Sequence, residues 1–110
     1  MEWKKRFREE GSIEVREFRV ELTLDNTFMD FDYIPRIAVY DDLTGRWHVL
    51  RNPIPRGRTL EENWDNALRL LERIVAGDEL PMLDDEGVSE RLANALLGLS
   101  SASCAQGRGR

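Results

Sequence analysis

The most regular apolar pattern of the chain lies between residues 59 and 76. Apolar residues recur there at the spacing of one helical face, and mostly acidic residues take the other face. The apolar positions are Leu60, Trp64, Ala67, Leu68, Leu71, Ile74 and Val75. Thr59 and Glu62 form a capping-box sequence before this stripe, and Gly77 is a stop signal after it. The pattern predicts a central amphipathic helix packed on one face of a sheet.

Alternating apolar and polar residues predict the strands of that sheet. Residues 13–24 alternate with a change of phase at Arg16 and Glu17, which we interpret as a β-bulge in one long strand. Residues 36–41 and 46–51 form a hairpin pattern around a short loop that contains Gly45. Pro35 indicates a connection before the hairpin instead of a central strand. The sequence therefore predicts a small, mainly antiparallel, three-stranded sheet.

Shorter apolar patterns lie near the two ends of the chain. Trp3 and Phe7 are four residues apart and precede Gly11, which predicts a short N-terminal helix within residues 1–11. A stripe from Val88 to Leu99 predicts a C-terminal helix that ends at Gly98 and is capped by Asp84 or Asp85. This helix either closes the same core or pairs with a second molecule.

We therefore expect one α+β domain over residues 1–98. The chain length of 110 residues suits a single modest core. Residues 99–110 are mainly small or polar and have little to bury, so they are predicted to form a disordered tail.

Charge is unevenly distributed along the chain, which has a net charge of −5. Residues 59–90 contain ten acidic residues and two arginines, a local charge of −8. An acidic surface repels nucleic acid and steers basic proteins towards it. The predicted partner-binding surface is the acidic side of the central helix and the loop that follows: Glu61, Glu62, Asp65, Glu72, Asp78 and Glu79.

A second candidate surface is basic. Residues 46–58 contain four arginines and no acidic residue, and they interleave cations with aromatic rings. Such a surface can bind phosphates and stack bases. This candidate surface consists of Arg46, Trp47, Arg51, Arg56 and Arg58. Nucleic-acid binding is therefore an alternative function, and the acidic segment of residues 59–90 argues against it.

The residues that usually carry catalysis are few. His48 is the sole histidine, so a zinc site with several histidines of one chain is excluded, and its position within a strand favours a structural role. The acidic pairs Asp30 with Asp32 and Asp41 with Asp42 are of a kind that holds Mg²⁺, but such pairs arise by chance in an acid-rich chain. We expect no enzymatic activity, no cofactor and no metal.

The remaining chemistry bears on location. The single cysteine, Cys104, cannot form an internal disulfide and fits a reducing cytoplasm. No apolar run approaches the roughly 18 residues of a membrane span, and no apolar segment follows the basic residues at the N-terminus. We expect a cytoplasmic protein that does not contact a membrane.

The stretch TLEENWDNALRLLERIVAGDELP resembles the central helix of the HicB family of antitoxins. The matching residues are Thr59, Leu60, Glu61, Glu62, Asn66, Ala67, Gly77 and Pro81. The similarity covers about residues 36–81 and includes a strand pair that leads through a proline segment into the helix. It implies an intracellular α+β module that sequesters a basic toxin protein and often oligomerises.

The sequence thus predicts stoichiometric binding of another macromolecule, with an antitoxin-like protein as the first hypothesis. A small virus-encoded inhibitor of a host defence complex, of which anti-CRISPR proteins are the example, fits the same composition. A subunit of a larger assembly and a homodimer also remain open.

Overall fold

A computed structural model describes residues 2–26 and 33–107 of the chain, and these residues form a four-stranded antiparallel sheet with three helices. The elements in chain order are α1 (Glu2–Glu10), β1 (Ser12–Val15), β2 (Phe18–Asn26), β3 (Tyr33–Asp41), β4 (Arg46–Val49), α2 (Leu60–Val75) and α3 (Glu86–Gly107). The strands lie side by side in chain order. The α+β class and the predicted helices agree with this structure, and the number of strands differs.

The additional strand arises from a tight turn at Arg16 and Glu17. Val15 pairs with Phe18, so these two residues connect β1 to β2 as a hairpin. Arg16 has a φ of 53°, the left-handed conformation that two-residue hairpin turns require. The single bulged strand predicted over residues 13–24 is therefore wrong. The change of phase marks a reversal of the chain that leaves Val15 and Phe18 both facing the core.

Pro35 lies inside β3, where a connection was predicted. It pairs with Leu24 of β2. The strand on the other side, β4, pairs only with residues 38–41 of β3. A proline is tolerated here because that side of β3 has no neighbouring strand, among the described residues, to receive an N–H group.

The helices cover one face of the sheet, and the core lies between them. The sheet contributes the buried side chains of Ile13, Val15, Phe18, Val20, Ile37 and Val39. α1 adds Trp3 and Phe7, and the Phe7 ring meets the ring of Trp64 edge-on at a centroid distance of 5.9 Å. The N-terminal helix is thus part of the core.

The central helix begins as predicted. Thr59 is its N-cap, and the Thr59 hydroxyl accepts a hydrogen bond from the Glu62 N–H at 3.1 Å. The Glu62 carboxylate accepts from the Arg58 N–H at 2.6 Å, one residue before the partner of a standard capping box. Leu60 belongs to the predicted apolar stripe but is half exposed, whereas Leu70, which lies outside that stripe, is buried.

α3 closes the same core. Val88, Leu92, Ala95 and Leu96 are buried within the single chain. Asp85 is the capping residue, since its carboxylate accepts from the Val88 N–H at 3.2 Å. The helix does not end at Gly98 but continues to Gly107, because an isolated glycine weakens a helix without having to stop it.

α3 includes residues 99–107, for which the sequence analysis predicted the start of a disordered tail. Residues 108–110 lie outside the described part of the chain. No helix within the described ranges is long and apolar enough to cross a membrane.

Candidate protein-interaction surface

Most of the predicted acidic surface is occupied by contacts within the molecule. Asp65 forms an ion pair with Arg8, and Glu72 lies 3.4 Å from the Nζ atom of Lys4. Both cations belong to α1, which packs beside α2. The basic helix α1 therefore neutralises part of the acidic side of α2, which the sequence pattern predicts to be free for a partner.

Glu79 has a structural role as well. Its carboxylate accepts hydrogen bonds from the Asn52 amide at 2.7 Å and from Arg73 Nε at 3.0 Å. These two contacts hold the pKa of Glu79 below its ordinary value, with the Asn52 bond as the larger cause. Because Glu62 caps the helix, only Glu61 and Asp78 of the six predicted residues have no side-chain partner among the described residues.

The structure divides the predicted basic surface into two parts. Arg46 and Trp47 lie on β4, and Arg51 follows directly after it. Arg56 and Arg58 lie in a loop that is bound to the start of α2, where Asn66 donates to the Pro55 carbonyl at 2.8 Å. All five side chains are exposed.

The outer face of the sheet carries an aromatic pair next to β4. Tyr40 of β3 pairs with Trp47 of β4, and the two rings lie 5.1 Å apart. Ala38 pairs with Val49 in the next outward-facing row. His48 is buried on the inner face, as strand alternation requires. Trp47 is 54% exposed and Val49 is 46% exposed, so this row of apolar side chains faces away from the helices.

The segment of residues 80–84 runs beside the end of β4. The Arg51 N–H donates to the Met82 carbonyl at 2.7 Å, and the Met82 N–H donates to the Asn52 side chain at 2.8 Å. Pro81 and Leu83 are buried, whereas the alternate residue Met82 is exposed. The segment therefore directs Leu80 and Met82 away from the core.

Exposed apolar side chains lie on β4, in the loop before it and in the segment that bonds next to it, and we name these residues the β4 surface. Of seven large hydrophobic residues that are exposed in the described part of the chain, five belong to it. They are Leu43, Trp47, Val49, Leu80 and Met82. The other two, Leu60 and Leu97, lie on α2 and α3. Clustered exposed apolar residues mark protein interaction sites, whereas isolated ones need no explanation.

Sequence reasoning identified only Trp47 of these five residues. The alternation in the stretch RWHV could have added Val49, because residues two apart share a face of a strand. Leu43, Leu80 and Met82 carry no such signal. Leu43 lies in the loop directly before β4, and the fold brings Leu80 and Met82 to β4 from a segment far along the chain.

The polar residues considered for chemistry have structural partners. His48 Nδ1 donates to the Asp84 carboxylate at 2.6 Å, and this bond holds the pKa of Asp84 below its ordinary value. His48 Nε2 is buried and has no hydrogen-bond partner within the described residues. Asp41 is buried and bound to Arg91.

No group of three or more His, Cys, Asp or Glu side chains within the described ranges is arranged to hold a metal ion. Asp30 and Asp32, the other acidic pair considered, lie outside the described residues. The side chain of Cys104 also lies outside the described part.

Comparisons with protein-family models, with curated proteins and with solved structures found no match to this chain. The resemblance to HicB antitoxins thus remains a prediction from the residues alone.

Proposed function

We propose that this protein acts without catalysis, by stoichiometric association with another protein, and that the β4 surface is its interface. The observation that carries the proposal is that five of the seven exposed large apolar side chains of the described residues lie on β4 or on the two segments next to it. Aromatic residues such as Trp and Tyr are enriched where protein interfaces derive their binding energy. Arg46 and Arg51 give this apolar centre a polar rim.

The acidic side of α2 is the weaker candidate for the interface. A partner bound there would compete with the contacts that Asp65 and Glu72 make to α1 and that Glu79 makes to Asn52. Breaking such contacts reduces the net free energy of association. The side chains of Leu43, Val49, Leu80 and Met82 are apolar, so a partner that covers them breaks no ion pair of these side chains.

Association of this kind fits an inhibitor that sequesters its target. An antitoxin-like role rests on the resemblance of residues 36–81 to the HicB family, and an inhibitor of a host defence complex rests on the small, acidic, globular chain. In both roles the protein works by covering a functional surface of its partner. The cellular target distinguishes them.

Affinity purification from the native host, followed by mass spectrometry, tests the proposal. Wild-type protein is compared with Trp47→Asp and with a matched control, Leu60→Asp, which places the same charge at an exposed apolar site on α2. The expected result is a protein recovered with the wild type and with Leu60→Asp but lost with Trp47→Asp. Recovery of the same proteins with all three would refute the β4 surface as the interface.

Binding of single-stranded nucleic acid is a second candidate, because the Tyr40–Trp47 ring pair and the exposed Arg46 and Arg51 lie on or directly after the same hairpin. Fluorescence anisotropy with single-stranded DNA and RNA separates it from the first. We expect no binding at physiological salt, since two arginines make too few phosphate contacts on an acidic body. Micromolar binding that Arg46→Glu and Arg51→Glu abolish would favour nucleic acid as the partner.

A further inference from the structure

The backbone N–H groups of Trp47 and Val49 in β4 point away from β3, towards the free side of the strand. The Leu50 N–H donates to the Ile37 carbonyl of β3 at 2.8 Å, and the Arg51 N–H donates to Met82 on the opposite side at 2.7 Å. In an antiparallel pair the bonding direction alternates along the strand. The N–H and C=O groups of Trp47 and Val49 therefore face the free side of β4, as those of Arg51 do.

The free side of β4 is only partly covered. The segment that contains Met82 bonds to Arg51, and no loop or helix backbone in the described ranges accepts a hydrogen bond from Trp47 or Val49. Proteins commonly cover or charge such an edge, because it is a template for another strand. Here the backbone hydrogen bonds of the covering segment end at Arg51. Its Asp84 side chain bonds to His48, whose ring points to the inner face, and this contact leaves the N–H groups of Trp47 and Val49 without a bond to the described residues on that side.

We propose that this edge binds an extended segment of the partner protein, which adds to the sheet as a strand beside β4. The inference rests on the proposed function and specifies how the β4 surface is used. The added strand receives the N–H groups of Trp47 and Val49 with its carbonyl groups and donates to their carbonyls. Its apolar side chains, at every second position, continue the row formed by Tyr40 and Trp47 on the outer face.

The charge of the edge defines the partner segment further. Arg46 and Arg51 are exposed at the two ends of the free edge, residues 46–58 contain no acidic residue, and the nearby Asp84 carboxylate is bound to His48 Nδ1. Acidic residues beside the apolar positions of the added strand meet these arginines. A second copy of this chain would instead bring its own Arg46 and Arg51 to the same seam, where like charges oppose pairing.

A proline at position 49 isolates the backbone contribution. Proline is tolerated on an edge strand where its missing N–H faces away from the ladder, so Val49→Pro removes one outward donor without breaking a bond to β3. Val49→Thr is the matched control, because threonine is also β-branched and retains the N–H. Circular dichroism shows whether both variants keep the fold.

Selection of random peptides displayed on phage, with the full-length wild-type protein as bait, tests the inference without a known partner. We expect enriched peptides to alternate apolar residues and to carry Asp or Glu beside them. A synthetic copy of an enriched peptide, followed by fluorescence anisotropy, should bind Val49→Thr like the wild type. It should bind Val49→Pro roughly tenfold more weakly, as expected for a lost backbone hydrogen bond.

Several results would overturn strand addition. These are the absence of any enriched peptide, enrichment of lysine-rich or arginine-rich peptides, and equal binding by the proline and threonine variants. Sedimentation velocity of the protein alone could give a further contradicting result. If the wild type is a dimer and Val49→Pro is a monomer, the edge binds a second copy of this chain. If the cellular partner is lost with Trp47→Asp but retained with Val49→Pro, the proposed function stands and strand addition fails.

Discussion

Arg91 of α3 binds the buried carboxylate of Asp41, with Arg91 Nη2 at 2.6 Å from Asp41 Oδ2. Asp41 is the last residue of β3 and also accepts hydrogen bonds from the Leu43 N–H at 3.2 Å and the Thr44 hydroxyl at 3.0 Å. Arg91 Nη1 extends to Glu17 in the turn between β1 and β2 at 2.7 Å. One arginine thus ties the C-terminal helix to both hairpin turns on the same side of the sheet.

Replacing Asp41 should destabilise the protein more than replacing a typical polar residue does. Asp41→Asn keeps the shape but removes the charge that Arg91 binds. Charge-assisted hydrogen bonds to a buried group contribute about 1.5 to 3 kcal/mol, so the free energy of unfolding should fall by about 2 kcal/mol. Chemical denaturation measures this. Glu17→Gln is the control and should lower the free energy of unfolding less, because Arg91 keeps its contact with Asp41. An equal or larger decrease for Glu17→Gln would show that Asp41 is not the main partner of Arg91.

Stability should fall in acid, and Asp41 should account for part of the loss. The hydrogen bond from Arg91 is the largest cause that lowers the pKa of Asp41 below its ordinary value. A carboxylate with a lowered folded-state pKa stabilises the fold above its unfolded pKa of about 4, and this stability is lost as the pH falls through the folded value.

Denaturation at a series of pH values between neutral and strongly acidic checks this expectation. The Asp41→Asn variant should lose less stability than the wild type over the range below about pH 4, because it has one fewer carboxylate to protonate. Parallel curves for the two proteins would contradict the assignment.

The ring contact between Phe7 and Trp64 predicts that α1 is required for the stability of the domain. Phe7 is fully buried, so Phe7→Ala should lower the free energy of unfolding by about 3 to 5 kcal/mol through cavity formation. Trp64 is only partly buried, and Trp64→Ala should cost less. Thermal and chemical denaturation compare the two. A small effect of Phe7→Ala would mean that α1 is not docked in solution.

Charge reversal on α2 should separate internal ion pairs from partner contacts. Glu61→Lys alters an exposed residue without a described side-chain partner and should leave partner binding unchanged. It should lower stability by less than about 1 kcal/mol, because a cation in the first turn opposes the helix dipole. Asp65→Lys disrupts the ion pair with Arg8 and should reduce stability by less than about 1 kcal/mol, because both side chains are partly exposed. Loss of the partner with Glu61→Lys would return the interface to the acidic side of α2.

The elements that were predicted correctly are those with a strong local signal. The capping residues and apolar stripe of α2, the hairpin around Gly45 and the stripe of α3 all depend on residues a few positions apart. The turn at Arg16 and Glu17 was missed because neither residue is typical of a two-residue hairpin turn, which favours Asn and Gly.

The sites depended on contacts between distant parts of the chain. Asp41 and Arg91 are separated by 50 residues, and the cations of α1 neutralise acids that lie more than 50 residues later. Residue spacing shows that Asp65 is on the outer side of its helix, but it does not show that Arg8 lies beside it. Likewise, the spacing that placed Trp47 on a strand contains no information about Met82.

Hydrogen exchange of the complex with its purified cellular partner, read by mass spectrometry, tests most directly whether the β4 surface is the interface. The amides of Trp47 and Val49 face the free edge and should exchange readily in the protein alone. Binding should slow exchange in residues 46–51 and 80–84 and leave the start of α2 unchanged. Protection that appears around Glu61 and Asp65, with residues 46–51 exchanging as before, would contradict the proposal.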